Sequence, residues 1–365
     1  MSNAYNIPSI TAGGLIDLLT DLYTQAFHGG MLALVPSVAL WGPMGVGKSS
    51  AVQQIARRLT ENTGREVRVT DIRLLNHTPP ELQGLPVKVR DPETGRDTVV
   101  WVKPRMFDLD PDCLNIIFLD ELSASAPALQ AAAYQIVQDK RIGEHILPKD
   151  CIVICAGNRT TDRSVAYRMP KALANRLMHF EVRADFGSWY QWAAKQGLDP
   201  RVIGYLAFDN SRLDQEPGME ELAFTTPRSW ENVSRLLKLT GRTPEEMHTF
   251  IAANVGVSTA GEFEAWCRVY NRLPAVEDIL SGKYVTPVKG ADVTYALITS
   301  LLACVNQRSA LTAGELDNMC SYAARFPADF AALFFRGLLA VEGMNLKLVH
   351  SPSFSAWMKR NKHIL

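Results

Sequence analysis

Val38-Ala39-Leu40-Trp41-Gly42-Pro43-Met44-Gly45-Val46-Gly47-Lys48-Ser49-Ser50 is the run on which the fold turns. A short apolar segment ends in a glycine-rich turn, and Val52, Ile55, Ala56 and Leu59 then recur at helical spacing. Gly42 to Ser49 fits G-x-x-x-x-G-K-[ST] at every fixed position. Glycines in such a turn let backbone N–H groups curl around a phosphate chain, which side chains would block. The helix that follows aims its positive dipole end at the anion. Gly42, Pro43, Met44, Gly45, Val46, Gly47, Lys48, Ser49 and Ser50 are therefore the candidate nucleotide-binding set. Lys48 is expected to reach the terminal phosphates and Ser49 a magnesium ion. The plain alternative is a turn that merely joins a strand to a helix.

A second segment supplies the partner chemistry. Leu114-Asn115-Ile116-Ile117-Phe118-Leu119-Asp120-Glu121 is an apolar strand ending in two acids, as suits a strand buried on both faces of a parallel sheet. Open α/β sheets bind ligands at the carboxyl ends of their strands. Asp120 is the candidate metal residue beside Ser49, and Glu121 the candidate that polarises an attacking water. Cys151-Ile152-Val153-Ile154-Cys155-Ala156 reads as another buried strand, ending in Gly157-Asn158. Asn158 would lie beside Glu121 and orient the same water.

Other stretches place these motifs. Leu15, Leu18, Leu19, Leu22, Tyr23 and Ala26 mark an amphipathic helix, with Ser9 and Thr11 as possible caps. Glu66 to Arg73 alternates as a strand. Val87–Arg90 and Thr98–Val102 flank the turn Asp91-Pro92-Glu93-Thr94-Gly95 and predict a β-hairpin, either a surface feature or a loop aimed at a pore or partner. A second short hairpin is expected over 140–150, and Phe180-Glu181-Val182 as the last core strand. From Pro227 onward the pattern is helical throughout, over 245–255, 260–273, 293–305, 313–324 and 330–339. Phe334, Phe335 and Trp357 read as core rather than interaction surface.

Composition narrows the function classes. The 365 residues suggest two domains, and Lys+Arg 38 balances Asp+Glu 38. A neutral chain argues against a dedicated nucleic-acid binder. The six cysteines form no C-x-x-C pair and read as buried free thiols, with Cys151 and Cys155 on one strand face. No H-E-x-x-H occurs, which disfavours a zinc hydrolase. The first residues carry no charged-then-apolar leader, and the most apolar helical stretch, Tyr295 to Val305, is too short for a bilayer. The expectation is a cytoplasmic protein without membrane contact.

The order of phosphate loop, acidic strand tip, hairpin and Asn-bearing strand resembles the AAA+ ATPases. The two hairpins resemble the inserts of the MoxR and dynein-related (AAA_5-like) group. The resemblance spans about residues 10–240. It implies an AAA+ P-loop NTPase core, an α/β fold with a parallel β-sheet flanked by helices, over 1–222, with inserts near 87–102 and 140–150. It implies an all-α lid and helical extension over 223–365. It also implies ATP and Mg2+ as cofactors, a homo-oligomeric ring, of six by analogy, and a protein substrate, with a von Willebrand factor A (VWA) domain protein as the implied partner. Asn158 then corresponds to the sensor-one residue. Arg176, in Pro170-Lys171-Ala172-Leu173-Ala174-Asn175-Arg176, corresponds to the arginine finger, with Arg159, Arg163 and Arg168 as further candidates. Arg228, in Thr226-Pro227-Arg228, corresponds to the sensor-two residue.

Two departures define the rival readings. Leu122-Ser123-Ala124-Ser125 stands where MoxR proteins usually carry Ile-Asn-Arg-Ala. The run Asn158 to Ser164 resembles the N-T-A-D-R-S signature of McrB-type restriction GTPases, and so suggests a GTP-driven, DNA-associated motor of a defence complex. A nucleotide-gated assembly or adaptor protein is the third reading.

Overall fold

The computed structural model describes residues 6–93, 95–159, 167, 169–215, 217–218, 220–270, 272–283, 285–307, 311–341 and 343–361. Two compact units divide the chain, Met1–Asp185 and Phe186–Leu365. The sequence boundary at 222/223 differs from this division. The helices that follow the last strand pack with the later helices, in one apolar cluster that joins Trp189 and Val202 to Trp230 and Phe263.

In the first unit, β1 (Ser9–Thr11) and α1 (Ala12–His28) lead into β2 (Ser37–Trp41) and α2 (Lys48–Thr63). Next come β3 (Val67–Arg73), α3 (Pro79–Gln83) and the hairpin of β4 (Leu85–Arg90) and β5 (Asp97–Val102). Then follow β6 (Leu114–Asp120), α4 (Pro127–Asp139), the short hairpin of β7 (Arg141–Ile142) and β8 (His145–Ile146), β9 (Cys151–Gly157), α5 (Lys171–Ala174) and β10 (Leu177–Arg183). The main sheet runs β1-β10-β2-β9-β6-β3, and every pairing in it is parallel. Parallel neighbours need crossover connections, and the helices that supply them cover both faces.

Burial follows from that cover. Along β6, Leu114, Ile116 and Phe118 join the layer of α1 and α2, while Ile117 and Leu119 join the layer of α4. The period of two thus fills both faces with apolar residues. Cys151 and Cys155 share the α4 side, as the alternation predicts, and burial pushes both thiols up to about 12. All six cysteines are free. Thr11 does cap α1, accepting from Gly14 N at 3.1 Å. Ser9, read as a cap from sequence, instead belongs to β1, an edge strand whose three residues carry too little pattern to announce it.

The second unit comprises α6 (Phe186–Lys195), α7 (Pro200–Phe208), α8 (Pro227–Thr240), α9 (His248–Val255), α10 (Val257–Tyr270), α11 (Val276–Leu280), α12 (Ala291–Gln307), α13 (Ala313–Ala323), α14 (Ala328–Leu339), α15 (Met344–Leu348) and α16 (Pro352–Arg360). It contains no strand among the described residues. Trp230 is fully buried between Tyr205 and Phe263, at ring separations of 5.4 and 5.6 Å. Phe334, Phe335 and Trp357 are core. Among the described residues no helix is long and apolar enough to cross a membrane.

Candidate nucleotide site

Parallel strands end on the same edge, so β2, β9 and β6 deliver Trp41, Gly157 and Asp120 side by side. The loop after Trp41 fits there only with glycine at its start. A Cβ on Gly42 would stand 2.3 Å from the Val182 carbonyl oxygen. Gly47 holds φ +103, a left-handed conformation that side chains disfavour, immediately before α2 begins at Lys48.

Lys48 is buried, and its Nζ donates to the Gly42 carbonyl at 2.6 Å, the Pro43 carbonyl at 2.9 Å and Asn158 Oδ1 at 3.1 Å. One ammonium therefore joins the loop to the tip of β9. Ser49 Oγ donates to Asp120 Oδ2 at 3.3 Å, and Asp120 Oδ1 accepts from the Glu121 amide at 2.8 Å.

Glu121 holds φ +61, a cost of roughly 1–2 kcal/mol for a residue with a side chain. Its turn is tied down on every side. Leu122 N donates to the Ala156 carbonyl at 2.8 Å, and Ser125 Oγ to the Glu121 carbonyl at 2.9 Å. Gln130 Nε2 holds the Leu122 and Ser125 carbonyls at 3.2 and 3.1 Å. Such over-determined strain clusters at functional positions. Asp71, on β3, has its carboxyl raised by partial burial and then by the Asp120 charge, with Arg73 opposing.

The structure thus brings Lys48, Ser49, Asp120, Glu121 and Asn158 together. Arg176 and Arg159 hold other partners. Arg176 lies just past α5, donates to the Ala172 carbonyl at 2.6 Å and places its guanidinium 4.7 Å from the Tyr134 ring centroid. Among the described residues it makes no ion pair. Arg159 pairs with Glu181 at 2.6 Å within the same chain. Arg163 and Arg168 lie outside the described residues, as does most of the McrB-like run. Arg228 belongs to the second unit. It is exposed in the first turn of α8, where Thr226 and Ser229 form a reciprocal cap at 3.1 and 2.7 Å.

The donor set suits a magnesium nucleotide. A glycine that only a bare backbone fits, a buried lysine and a Ser–Asp pair are present. No group of three His, Cys, Asp or Glu that could hold a metal alone occurs among the described residues. Mg2+ keeps waters and takes few protein ligands, so Ser49 and Asp120 are the residues that would hold it. Two supporting features escape sequence reasoning. Trp41 Nε1 donates to His179 Nδ1 at 2.9 Å, and the Ser123 hydroxyl accepts from the Asn158 amide at 2.9 Å. Both are long-range contacts that no local motif signals.

Similarity to known proteins bears on this site. No curated protein matches the chain. A solved Cytophaga hutchinsonii protein is 17% identical with TM-score 0.34, covering 51% of this chain. The chain spans 52% of that relative's length. The Orc1 protein of Aeropyrum pernix, solved in complex with DNA, is 17% identical with TM-score 0.40, covering 94% of this chain and 86% of that one. PCH-2 of C. elegans is 15% identical with TM-score 0.32, covering 73% and 64%. These likenesses are too distant to carry function. Residues 38–187 match the ATPase family associated with various cellular activities (AAA), and the match contains the phosphate loop, the acidic strand tip and Asn158. Over that stretch the chain is similar to the AAA family, on a parallel sheet flanked by helices.

Proposed function

We propose that the chain is a MoxR-like AAA+ ATPase that assembles as a ring, of six by analogy, and uses ATP hydrolysis to remodel or mature a partner protein in the cytoplasm. The observation that carries the hydrolytic part is the Lys48 ammonium, shared between the phosphate loop and Asn158, beside the Ser49–Asp120 pair. Binding alone would not need the strand tips so joined. The MoxR assignment and a VWA-domain partner rest on the two hairpins and the motif order.

Each residue has a defined task in this reading. Lys48 and the loop amides hold the phosphates, and Ser49 and Asp120 hold Mg2+, which when bound neutralises phosphate charge. Glu121 accepts the proton of the attacking water and Asn158 orients that water. Arg228 acts on nucleotide within its own chain. Arg176 acts on the nucleotide of a neighbouring subunit. Its guanidinium rests on a ring face and one carbonyl, contacts that a phosphate would outcompete. A finger of this kind contributes roughly 10³–10⁵ in rate.

Mixing tests the shared site. Arg176→Ala and Lys48→Ala subunits are each expected to be inactive alone and to regain part of the ATP turnover when mixed. No recovery, with mixed rings confirmed by mass, would refute a finger in trans. The run Asn158 to Ser164 favours one second reading, a McrB-like motor. Turnover of GTP well above ATP, stimulated by DNA, would select it.

A further inference from the structure

We infer that Ser123 is a positioning residue for the hydrolytic step, fixing Asn158 against the turn that carries Glu121. The inference rests on the nucleotide site proposed above and concerns how that site is held.

Ser123 is buried, two residues past Glu121, and both its polar oxygens are engaged across the sheet edge. Its hydroxyl oxygen accepts from the Asn158 amide at 2.9 Å. Its carbonyl accepts from the Tyr167 amide at 2.6 Å. One residue therefore grips the chain at Asn158 and again at Tyr167. The strand tip is shaped around it. A Cβ on Gly157 would stand 2.8 Å from Ser123 Oγ and 3.1 Å from Trp41 Cζ3, so the bare backbone of Gly157 admits the hydroxyl.

The consequence is geometric. Leu122 N reaches the Ala156 carbonyl and Ser123 Oγ accepts from Asn158 N, so two adjacent residues of the acidic turn register the end of β9. Asn158 Oδ1 in turn accepts from Lys48 at 3.1 Å. The turn carrying Glu121, the amide carrying Asn158 and the phosphate-binding lysine form one connected series. Small misplacements of a water-orienting group are costly in rate, because reaction requires the attacking atom in line. Ser123 touches neither water nor phosphate in this scheme. It acts through Asn158.

The test is a cycle of Ser123→Ala, Asn158→Ala and the double variant, with kcat and KM for ATP and thermal unfolding measured on the full chain. Ser123→Ala is expected to lower kcat about tenfold with KM within about twofold, and the double variant to fall no further than Asn158→Ala alone, since coupled residues are non-additive. Ser123→Thr, which keeps the hydroxyl, is expected to recover most of the rate. Gly157→Ala crowds the hydroxyl without removing it and is expected to reproduce the kcat loss, which covers the case of an unfolded Ser123→Ala chain. Wild-type kcat in Ser123→Ala, or full additivity in the double variant, overturns the inference while Asn158 and Glu121 keep their roles. Wild-type turnover in both Asn158→Ala and Glu121→Gln overturns the site itself, and this inference with it.

Discussion

Strand β6 and the β4–β5 hairpin are built from similar residues and end in opposite environments. Phe118 on β6 is 1% exposed, while Val99 on the hairpin is 57% exposed. Both segments are rich in apolar strand formers. β6 has a strand on either side and a helical layer on each face. Among the described residues β4 and β5 pair only with each other, and Leu85, Val87, Val89, Val100 and Val102 also remain exposed. The hairpin is anchored at its base, where His145 Nε2 donates to the Trp101 carbonyl at 2.7 Å. Strand propensity thus reports pairing, and burial depends on what covers the pair.

The contrast assigns chemistry and stability to β6, and three substitutions can break that assignment. The largest effect is expected at its tip. Glu121→Gln should retain ATP, as read by nucleotide co-purification or fluorescence binding, and lose turnover by roughly 10²–10⁴-fold. Normal turnover would remove Glu121 from its role. Next, Phe118→Ala should destabilise the fold by about 3–5 kcal/mol, read from urea unfolding. Val99→Ser, by comparison, should move stability by no more than about 0.5 kcal/mol. A cost at Val99 like that at Phe118 would mean the hairpin is covered in the working protein, and the two regions would no longer differ.

Legibility in the sequence follows the same division. The buried strands show themselves as apolar runs, and the phosphate loop as fixed spacing, because both patterns are local. Ser123 and His179 gain their partners from strand order, over 35 and 138 residues of separation, and no local pattern carries that information. Arg159 reads as one of several arginines in a finger-like stretch. The parallel register sets Glu181 opposite Trp41, and Arg159 pairs with it in its own chain. Helix α7 is a short apolar segment and α16 a short mixed one, both opened by proline at the first turn, and periodicity over nine residues is too brief to announce them. Arg228 is legible as a cap-plus-arginine motif at the start of α8.

The smallest expected effect is at Asp71, and it sharpens the account of the strand tips. Its carboxyl is raised by partial burial and by the Asp120 charge, so the folded chain binds that proton more tightly than the unfolded chain does. Stability must then fall as pH rises through the carboxylate range, where the folded site is forced to ionise beside a like charge. Asp71→Asn removes this cost. No gain is expected below about pH 3, where the carboxyl is protonated in both states, and the full gain is expected by about pH 7. The group is mostly solvent-facing, which screens the interaction, so the gain should be only a few tenths of a kcal/mol. Mg2+ with nucleotide offsets the Asp120 charge, so adding both should shrink the gain at neutral pH. An equal gain with and without them would show that Asp71 responds to burial alone and stands apart from the metal site.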